Sequence, residues 1–513
     1  MNSESSRSFR VVVLSELLPR ADWSMTPEPL AEARPIDRST FDDVLGRFGV
    51  ALSLELADPF GAAAQRVQLR LDSLKALRPS MLADQVPELR GLRAAHTLLL
   101  DLENGRRTQA DTAEQIRRAV SSPTWAGQIV EALARHAPAE RRAEPKAATP
   151  APSPPHAPAA QGGALDALLD MVALPGEASG GEAPSSEENR VASAVSAALL
   201  AARSQHPRGH DASPARALVA SAFSALLESI LAHPEIVRLE RAWRGLRLLV
   251  EHSDPRSGAE LDVIATRPDT VRAALDRLSE REGAERLRPE VDLLLVDHEA
   301  SADARDRDLL ASWAVAAARL RAPLLSGAHP SLVGFDAMEE LGNTRKSLFN
   351  SQEAWATGLR ALATRDESRW LLLALNGMLL RAPHTPESAG LRDLPFQETD
   401  GTARVFACAA YAPAVLAMQS FAKHGHPFEL VDRYAGSGVI PNLMVHELGP
   451  HEQRVAIAVE AIIASDVQRE LARVGLCALA SARNRDTAPV VRLPMLYRGA
   501  AGPADVVPEL TLV

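Results

Sequence analysis

Apolar and polar positions in the first 135 residues follow the periods of strands and of one short helix. Phe9–Leu18 is almost continuously apolar, which predicts a buried strand. Apolar residues alternate through Val50–Leu56 and again through Val67–Leu71, which predicts two half-buried strands. Phe41–Phe48 repeats apolar residues at helical spacing, and a longer amphipathic helix follows, interrupted at Pro87. The order β, α, β, β, α predicts a small α+β domain.

Helical and strand patterns alternate in the second half of the chain. The predicted helices cover Ala215–Val250, Arg307–Leu320, Trp355–Leu362, Trp370–Leu380 and Asp466–Val474, and the predicted strands cover Leu261–Ala265 and Val291–Asp297. Gly475 stands directly after the last helix, where glycine commonly ends one. We therefore predict a fold class between α/β and α+β, with a small α+β domain tethered to a larger mixed α/β domain.

A segment rich in proline and alanine, Arg141–Gly163, separates the two patterned regions. Proline fixes φ and lacks a backbone donor, so this segment is predicted to be an extended tether. The predicted divisions are a domain at 1–135, a linker at 136–163, a short amphipathic helix with a flexible helical segment at 164–214, a domain at 215–499 and a tail at 500–513.

Composition limits the classes of function. The 513 residues are 46% hydrophobic and 24% charged, as in globular proteins, and the formal net charge is -10. An acidic chain is poorly suited to phosphate backbones or anionic membranes, so we expect neither a nucleic-acid nor a membrane partner. The first residues lack the features of a signal peptide, and no apolar run approaches the roughly 18 residues of a membrane span. Two widely spaced cysteines favour a reducing compartment, so we expect a cytoplasmic protein.

The sequence contains little that indicates catalysis. The sequence contains neither the phosphate-binding pattern G-x-x-x-x-G-K-[ST] nor the zinc-binding pattern H-E-x-x-H. The remaining candidates are a glycine cluster at Gly436, the pairs His206/His210 and His424/His426, and Cys408 and Cys477. Their surroundings favour a turn, solvated histidines and small core residues. We expect no enzymatic activity, no cofactor and no metal, and keep a hydrolase on an unrelated α/β fold as an alternative.

The segment His233–His252 combines an apolar helical face with Glu240 and Arg244 at the spacing of a helix-surface ion pair. Gly245 lies inside the same helix, which suggests close approach of another backbone. This segment resembles the signature helix of TssC, the large contractile-sheath subunit of type VI secretion systems, H-x-x-F-x-x-L-E-x-x-W-R-G-L-x-x-L-V. The resemblance implies subunit packing by Leu239, Glu240, Trp243, Arg244, Gly245 and Leu246.

Further segments resemble TssC as far as Arg498. The matching positions include Asp297, Glu299, Asp308, Leu309, Ala322, Pro323, Ala328, Phe335, Trp355 and Arg360. The front of the chain resembles TssB, the small sheath subunit, through the segment IDRSTFDDVL, which begins at Ile36, and the segment SLKALRPSMLADQVPEL, which begins at Ser73. That resemblance implies packing roles for Phe41, Val44, Leu45, Gln85 and Pro87.

The two resemblances imply a structural component of a type VI secretion sheath, with small and large subunits fused in one chain. Such a chain would form homo- or hetero-oligomers with other sheath protomers and surround an inner tube protein. Relative to the family, we expect the end strands that are exchanged between protomers to be missing, which would weaken a lattice. A non-polymerising cap or adaptor that binds a sheath or baseplate is therefore the alternative.

One more segment resembles a family feature. GALDALLDMVALPG is similar to the short helix near the start of the large subunit that a ClpV-type AAA+ ATPase grips during sheath recycling. The resemblance implies an ATPase-recognition helix with an apolar face of Leu165, Leu168, Leu169 and Val172. A helix docked on its own domain is the other interpretation of this segment.

Overall fold

The structure is a computed structural model. It describes residues 8–20, 32–61, 64–135, 212–284, 291–344, 354–399, 403–425, 430–431, 438–449, 454–499 and 508–512. The chain divides into two compact units: the first consists of Met1–Ala94, Val120–Ser122 and Val219–Val513, and the second of Ala95–Ala119 and Pro123–Leu218. These borders differ from the divisions that the sequence suggests, which remain predictions.

The described strands and helices are as follows. The strands are β1 (Phe9–Ser15), β2 (Arg34–Pro35), β3 (Val50–Leu56), β4 (Gln65–Leu71), β5 (Ala259–Ala265), β6 (Leu293–Ala300), β7 (Leu324–Ala328), β8 (Leu371–Leu375), β9 (Leu379–Arg381), β10 (Val405–Phe406), β11 (Gly438–Ile440), β12 (His446–Leu448), β13 (Val455–Ile457), β14 (Leu476–Ala478) and β15 (Ala488–Val490). The helices are α1 (Phe41–Phe48), α2 (Pro79–Gln85), α3 (Pro87–Glu103), α4 (Gln109–Ala119), α5 (Pro123–Arg135), α6 (Ser213–Leu231), α7 (Pro234–His252), α8 (Val271–Ala284), α9 (Ala304–Leu320), α10 (Met338–Asn343), α11 (Ala354–Ala363), α12 (Pro386–Ala389), α13 (Tyr411–His424) and α14 (Ser465–Val474).

A seven-stranded sheet forms the centre of the first unit, in the order β14-β8-β7-β6-β1-β5-β2. Neighbouring strands run parallel except β2, which pairs antiparallel with β5 at one edge. All residues of β1, β7 and β8 are buried. Strands buried on both faces read as continuous apolar runs, as β8 does, while β1 and β7 are mostly apolar. The mixed helix and strand content confirms the predicted fold class.

Strand β1 is an internal strand of this sheet, although its partners lie far along the chain. Val11 pairs with Leu261 of β5 on one side and with Leu293 of β6 on the other. The sheet therefore draws its strands from both ends of the sequence. Because β1 has a neighbouring strand on each side, removing it would leave two sheet edges unpaired.

The two faces of the sheet are covered by different helices. On one face, Val12 and Leu14 of β1 join an apolar core that includes Trp313 of α9 and residues of α8, α11 and α14. On the other face, the ring of Phe9 stacks on Phe421 of α13, with ring centroids 5.2 Å apart. Helix α13 in turn packs beside α7. Alternate residues of one strand thus anchor it to both helical layers.

The hairpin β3–β4 shows the predicted alternation. Residues of β3 are buried and exposed in turn, and Val50 pairs with Leu71 across the antiparallel ladder. The helix predicted at Phe41–Phe48 is confirmed as α1, and it ends at Gly49 in the left-handed conformation. The break predicted at Pro87 is confirmed as the junction of α2 and α3.

One helix prediction is wrong, and a second predicted helical region divides into two helices. The helix predicted at Trp370–Leu380 is wrong, because these residues form strands β8 and β9. A short apolar run that is buried on both faces carries no period that distinguishes a strand from a helix. The helical region predicted at Ala215–Val250 is two helices, because His233 caps α7 by accepting from the Glu235 backbone N–H and Pro234 occupies the first turn.

The second unit contains α4, α5 and the adjoining ends of α3 and α6. Trp125 of α5 is buried at 1% exposure. Arg216 pairs with Glu103, with 3.3 Å between Nε and Oε2, and Gln109 donates to the Leu133 carbonyl. The linker and the predicted ATPase-recognition helix, 136–211, lie outside the described residues.

Helix α6 is long and apolar enough to cross a membrane by length and composition, which the sequence patterns did not indicate. Several of its side chains are fully buried, among them Phe223, Leu226 and Ile230. Of its 18-residue apolar stretch, 44% is buried inside the protein.

Candidate assembly interface

An aromatic contact joins the front of the chain to helix α7. The rings of Phe41 and Phe48, on α1, meet the Trp243 indole edge-on, with centroids 5.9 and 5.6 Å apart. Phe41 and Trp243 are 0% and 2% exposed, so the contact is part of the core. Arg34 and Arg247 lie over the Phe48 and Phe41 rings at 5.0 and 5.1 Å. Buried aromatic pairs add stabilisation beyond their area, and the flanking cations strengthen it.

Four other predicted packing residues are buried on the same two helices. Val44 and Leu45 are buried on α1, and Leu239 and Leu246 are buried on α7. Gln85 and Pro87 are elsewhere: Gln85 donates to the Arg70 carbonyl at 2.8 Å, within the front of the chain, and Pro87 begins α3. Their role between sheath subunits stays a prediction.

Gly245 makes room for a side chain rather than for a backbone. A Cβ at this position would lie 2.6 Å from Cε2 of Tyr411 on α13. The glycine therefore lets the tyrosine ring lie directly on the α7 backbone, where larger residues would push the two helices apart.

Glu240 and Arg244 form the predicted ion pair, with 2.7 Å between Nε and Oε1, but the predicted surface location is wrong. Glu240 is 1% exposed, because a second cation, Arg381, lies 2.9 Å from the same oxygen. Arg381 also binds Glu398 at 2.6 Å. Burial alone would lower the pKa of Arg381, but Glu240 and Glu398 outweigh it and raise that pKa. We call these four residues the balanced network, since it holds two carboxylates and two guanidinium groups.

Two arginines bind β1 and the segment that follows it. The sequence patterns did not indicate this role. Arg10 pairs with Asp262 on β5 at 2.8 Å. Arg238 of α7 donates to the carbonyls of Glu16 and Leu18 at 2.7 and 2.8 Å. An arginine inside the apolar run of β1 was the available signal, because a buried cation in a strand requires a partner.

A second charged cluster lies where β1, β6 and β8 end. Asp297 accepts from the Ser15 hydroxyl at 2.8 Å and from the Tyr411 hydroxyl at 3.2 Å. Arg241 of α7 is ion-paired with Glu299. Glu460 accepts from the Gly377 backbone N–H at 2.7 Å. We call Asp297, Glu299, Glu460 and Arg241 the acidic cluster.

Burial and charge shift the pKa values of this cluster. Burial raises the pKa of Asp297, and Arg241 and the two hydroxyl donors offset only part of that effect. Burial, followed by the negative charge of Glu299, raises the pKa of Glu460 to about 7. Burial lowers the pKa of Arg241, but the surrounding carboxylates outweigh it and raise that pKa well above its ordinary value. The guanidinium therefore stays charged while carboxylates compete for it.

Of the candidates for catalysis, His206, His210, His426 and Gly436 lie outside the described residues, and the two cysteines are buried. Burial raises the pKa of the Cys408 thiol well above its ordinary value and that of Cys477 to about 12. A nucleophilic cysteine requires the opposite shift. Among the residues that the structure describes, no group of three or more His, Cys, Asp or Glu is arranged to hold a metal ion. A groove of ≈ 190 Å³ beside α14 and β14 is lined by apolar side chains together with Ser465, Gln468, Arg469 and Arg492.

Comparison with known proteins assigns both ends of the chain. Residues 3–134 match the family described as "Type VI secretion system, VipA, VC_A0107 or Hcp2". Residues 289–492 match the VipB family, described as "EvpB/VC_A0108, tail sheath N-terminal domain". The type VI secretion system sheath protein TssC1 of Pseudomonas aeruginosa is 26% identical over 299 residues, which cover 54% of this chain and 59% of that protein.

The chain thus spans about three fifths of the length of the curated relative it matches. The TssB and TssC resemblances are confirmed, in the order in which the sequence presents them. This polypeptide joins a VipA-type small-subunit region and a VipB-type large-subunit region of the type VI secretion sheath.

Proposed function

We propose that this chain is a structural component of a type VI secretion contractile sheath, in which one polypeptide supplies both the small and the large subunit. The observation that carries the proposal is the internal position of β1, a strand of the small-subunit region, between two strands that follow residue 258. Two subunit regions that complete one sheet form one building block, and a tether raises the effective concentration of each for the other.

Cleavage of the full chain tests this arrangement. A protease site placed in the linker, 136–163, should yield two fragments that continue to elute together, because β1, Trp243 and Arg238 hold them without the tether. The same site in an uncut sample is the control. Fragments that separate in native buffer would show that the two regions are independent domains.

Oligomerisation separates the sheath component from the non-polymerising cap or adaptor. Electron microscopy of the purified chain, alone and with the inner tube protein of the same secretion system, gives tubes or rings for a sheath component. Particles of one size that bind a preformed sheath or a baseplate would favour the cap. The proposed role is mechanical and cytoplasmic, without a chemical reaction.

The ClpV-type ATPase is a further proposed partner. Replacing Leu168 and Leu169 by Glu would remove the apolar face of the predicted recognition helix and should abolish binding of the ATPase N-terminal domain. Asp170→Asn, on the polar side of the same segment, is the matched control. Equal binding by both variants would assign this segment to another contact.

A further inference from the structure

The acidic cluster holds more negative than positive charge in a confined space. Its carboxylates come from β6 and from the loop after β13, and Arg241 is the cation that the described residues set against them. The side chains of Arg241 and Glu299 keep 31% and 28% of their surface exposed, so the cluster occupies a crevice rather than a sealed core. Carboxylates that share one cation at short range disfavour simultaneous ionisation.

Two glycines shape the floor of this crevice. A Cβ at Gly327, on β7, would lie 2.6 Å from Cγ of Glu299 and 2.7 Å from Sγ of Cys408. A Cβ at Gly377, after β8, would lie 2.7 Å from Oε1 of Glu460 and against the Ala407 carbonyl. The carboxylate side chains therefore occupy space that a side chain at position 327 or 377 would fill. The glycines at the ends of the strands thus make room for the cluster.

Glu460 and Gly377 are joined in both directions. The Glu460 backbone N–H donates to the Gly377 carbonyl at 3.0 Å, while the Glu460 carboxylate accepts from the Gly377 N–H. Asn376, with φ of 75°, adds side-chain bonds to the Ala461 carbonyl and N–H and to the Leu479 carbonyl. The charge state of one carboxyl thus acts on a turn that connects the loop to the end of β8.

The cluster also reaches the small-subunit region. Ser15, the last residue of β1, donates to Asp297, and Tyr411 binds the same oxygen from α13. Among the described residues, the charged groups that act on Glu460 are Glu299 on β6 and Arg241 on α7, and Arg241 also acts on Asp297, Cys408 and Tyr411. His446 on β12 bonds the carbonyl of Val459, the residue before Glu460. Elements from both subunit regions therefore meet around one excess of negative charge.

We propose that the acidic cluster is a proton-dependent latch at the junction of the two subunit regions: it closes with one proton bound to Glu460 and loosens when rising pH removes that proton. Below the ordinary pKa of a glutamate the latch is fully closed. Its contribution is lost as the pH rises to about 7, because the folded state holds the proton more tightly than the unfolded chain. The inference concerns the chain itself and stands whether or not it polymerises.

Unfolding of the full chain at a series of pH values is the first test. Between about pH 5 and about pH 7 the folded state holds one proton more than the unfolded chain. Each unit of rising pH should therefore increase the ratio of unfolded to folded chain by up to about tenfold. Glu460→Gln keeps the acceptor for Gly377 and cannot ionise, so its unfolding should lose this part of the pH dependence. Glu447→Gln, at an exposed glutamate paired with Arg454, is the matched control and should behave as the parent chain. Parallel pH profiles for the parent chain and Glu460→Gln would overturn the proposal.

Hydrogen exchange provides a readout that needs no variant. After correction for the intrinsic rate, exchange in the peptide that contains Ala461, whose backbone N–H donates to the Asn376 side chain and not to the carboxyl, should rise from about pH 6 to about pH 8, while a peptide from the hairpin β3–β4 stays constant. A constant protection of Ala461 over this range would overturn the latch even if Glu460→Gln failed to fold.

Discussion

The balanced network and the acidic cluster are built on the same helix, yet they differ in their charge. Glu240 and Arg244 of α7 join Arg381 and Glu398, so each buried carboxylate has a guanidinium partner. Arg241, one residue after Glu240, faces three carboxylates instead. The first arrangement is balanced, with two carboxylates and two guanidinium groups, whereas the second has two more carboxylates than cations, an excess that one bound proton reduces. One helix thus supplies a charge-matched fastening and one with an excess of negative charge.

Loss of one member of the balanced network should have the largest effect. Arg381→Met leaves Glu240 and Glu398 without their shared cation in the protein interior, and we expect a loss of about 3–5 kcal/mol in the free energy of unfolding. Arg118→Met, which removes an exposed ion pair with Glu114, is the control and should change stability by less than about 1 kcal/mol. Denaturant unfolding measures both. Similar small losses would mean that the network is not desolvated.

Widening the contact between α7 and α13 should disturb the acidic cluster through Tyr411. Gly245→Val places methyl groups where the tyrosine ring lies, and we expect destabilisation of roughly 1–3 kcal/mol in denaturant unfolding. Gly127→Val is the matched control, because nothing lies within 4 Å of a Cβ at that helical glycine. If both valines had equal effects, the ring contact would be irrelevant to stability.

His384 should give the balanced network a pH response of opposite sign to that of the acidic cluster. Burial, followed by the charge of Arg381, lowers the pKa of His384 from 6.5 to about 4. The unfolded chain therefore binds a proton that the folded chain refuses, and stability falls as the pH decreases from 6.5 towards 4. In His384→Asn the free energy of unfolding should fall by roughly 1–2 kcal/mol less over this pH range than in the parent chain. This figure includes a reduction for the partial solvent access of the imidazole. An unchanged acid limb of the unfolding profile would contradict the assignment.

The smallest effect on stability is expected for a partly exposed group of ion pairs. Arg93 of α3 pairs with Asp393 and Asp84 at 2.7 and 2.8 Å, and these side chains are 32%, 39% and 63% exposed. Arg93→Ala should therefore cost less than about 1 kcal/mol in the free energy of unfolding, and the difference should vanish at high salt. A salt-independent loss as large as that of Arg381→Met would place this pair in the core.

Local pattern predicted the elements that expose one face to water. Strands β3 and β4 and helix α1 carry the periods of half-buried elements, so their side-chain alternation was sufficient. The helix prediction fails at β8 because LLLAL is buried on both faces and its sequence contains no period. The family resemblance located α7, but the burial of Glu240 depends on Arg381, which no local rule connects to it.

The internal place of β1 could not be predicted from its own residues. Its apolar run indicated burial, but parallel pairing with β5 and β6 depends on strands hundreds of residues away. The acidic cluster was likewise hidden, because Asp297 and Glu299 were matched as family positions while Glu460 and Arg241 lie on other elements. Tertiary proximity, rather than propensity, assembled it.

During synthesis, the first strand of this chain is made long before the strands with which it pairs. Arg10 finds its partner Asp262 only 252 residues later. At ordinary rates of translation the ribosome needs roughly 12–50 s to make that stretch. During that interval FRVVVLS leaves the exit tunnel with both hydrogen-bonding edges open, a state prone to association with other nascent chains. Protection of this heptapeptide by a chaperone, or by the early helices that follow it, would limit such association during that interval.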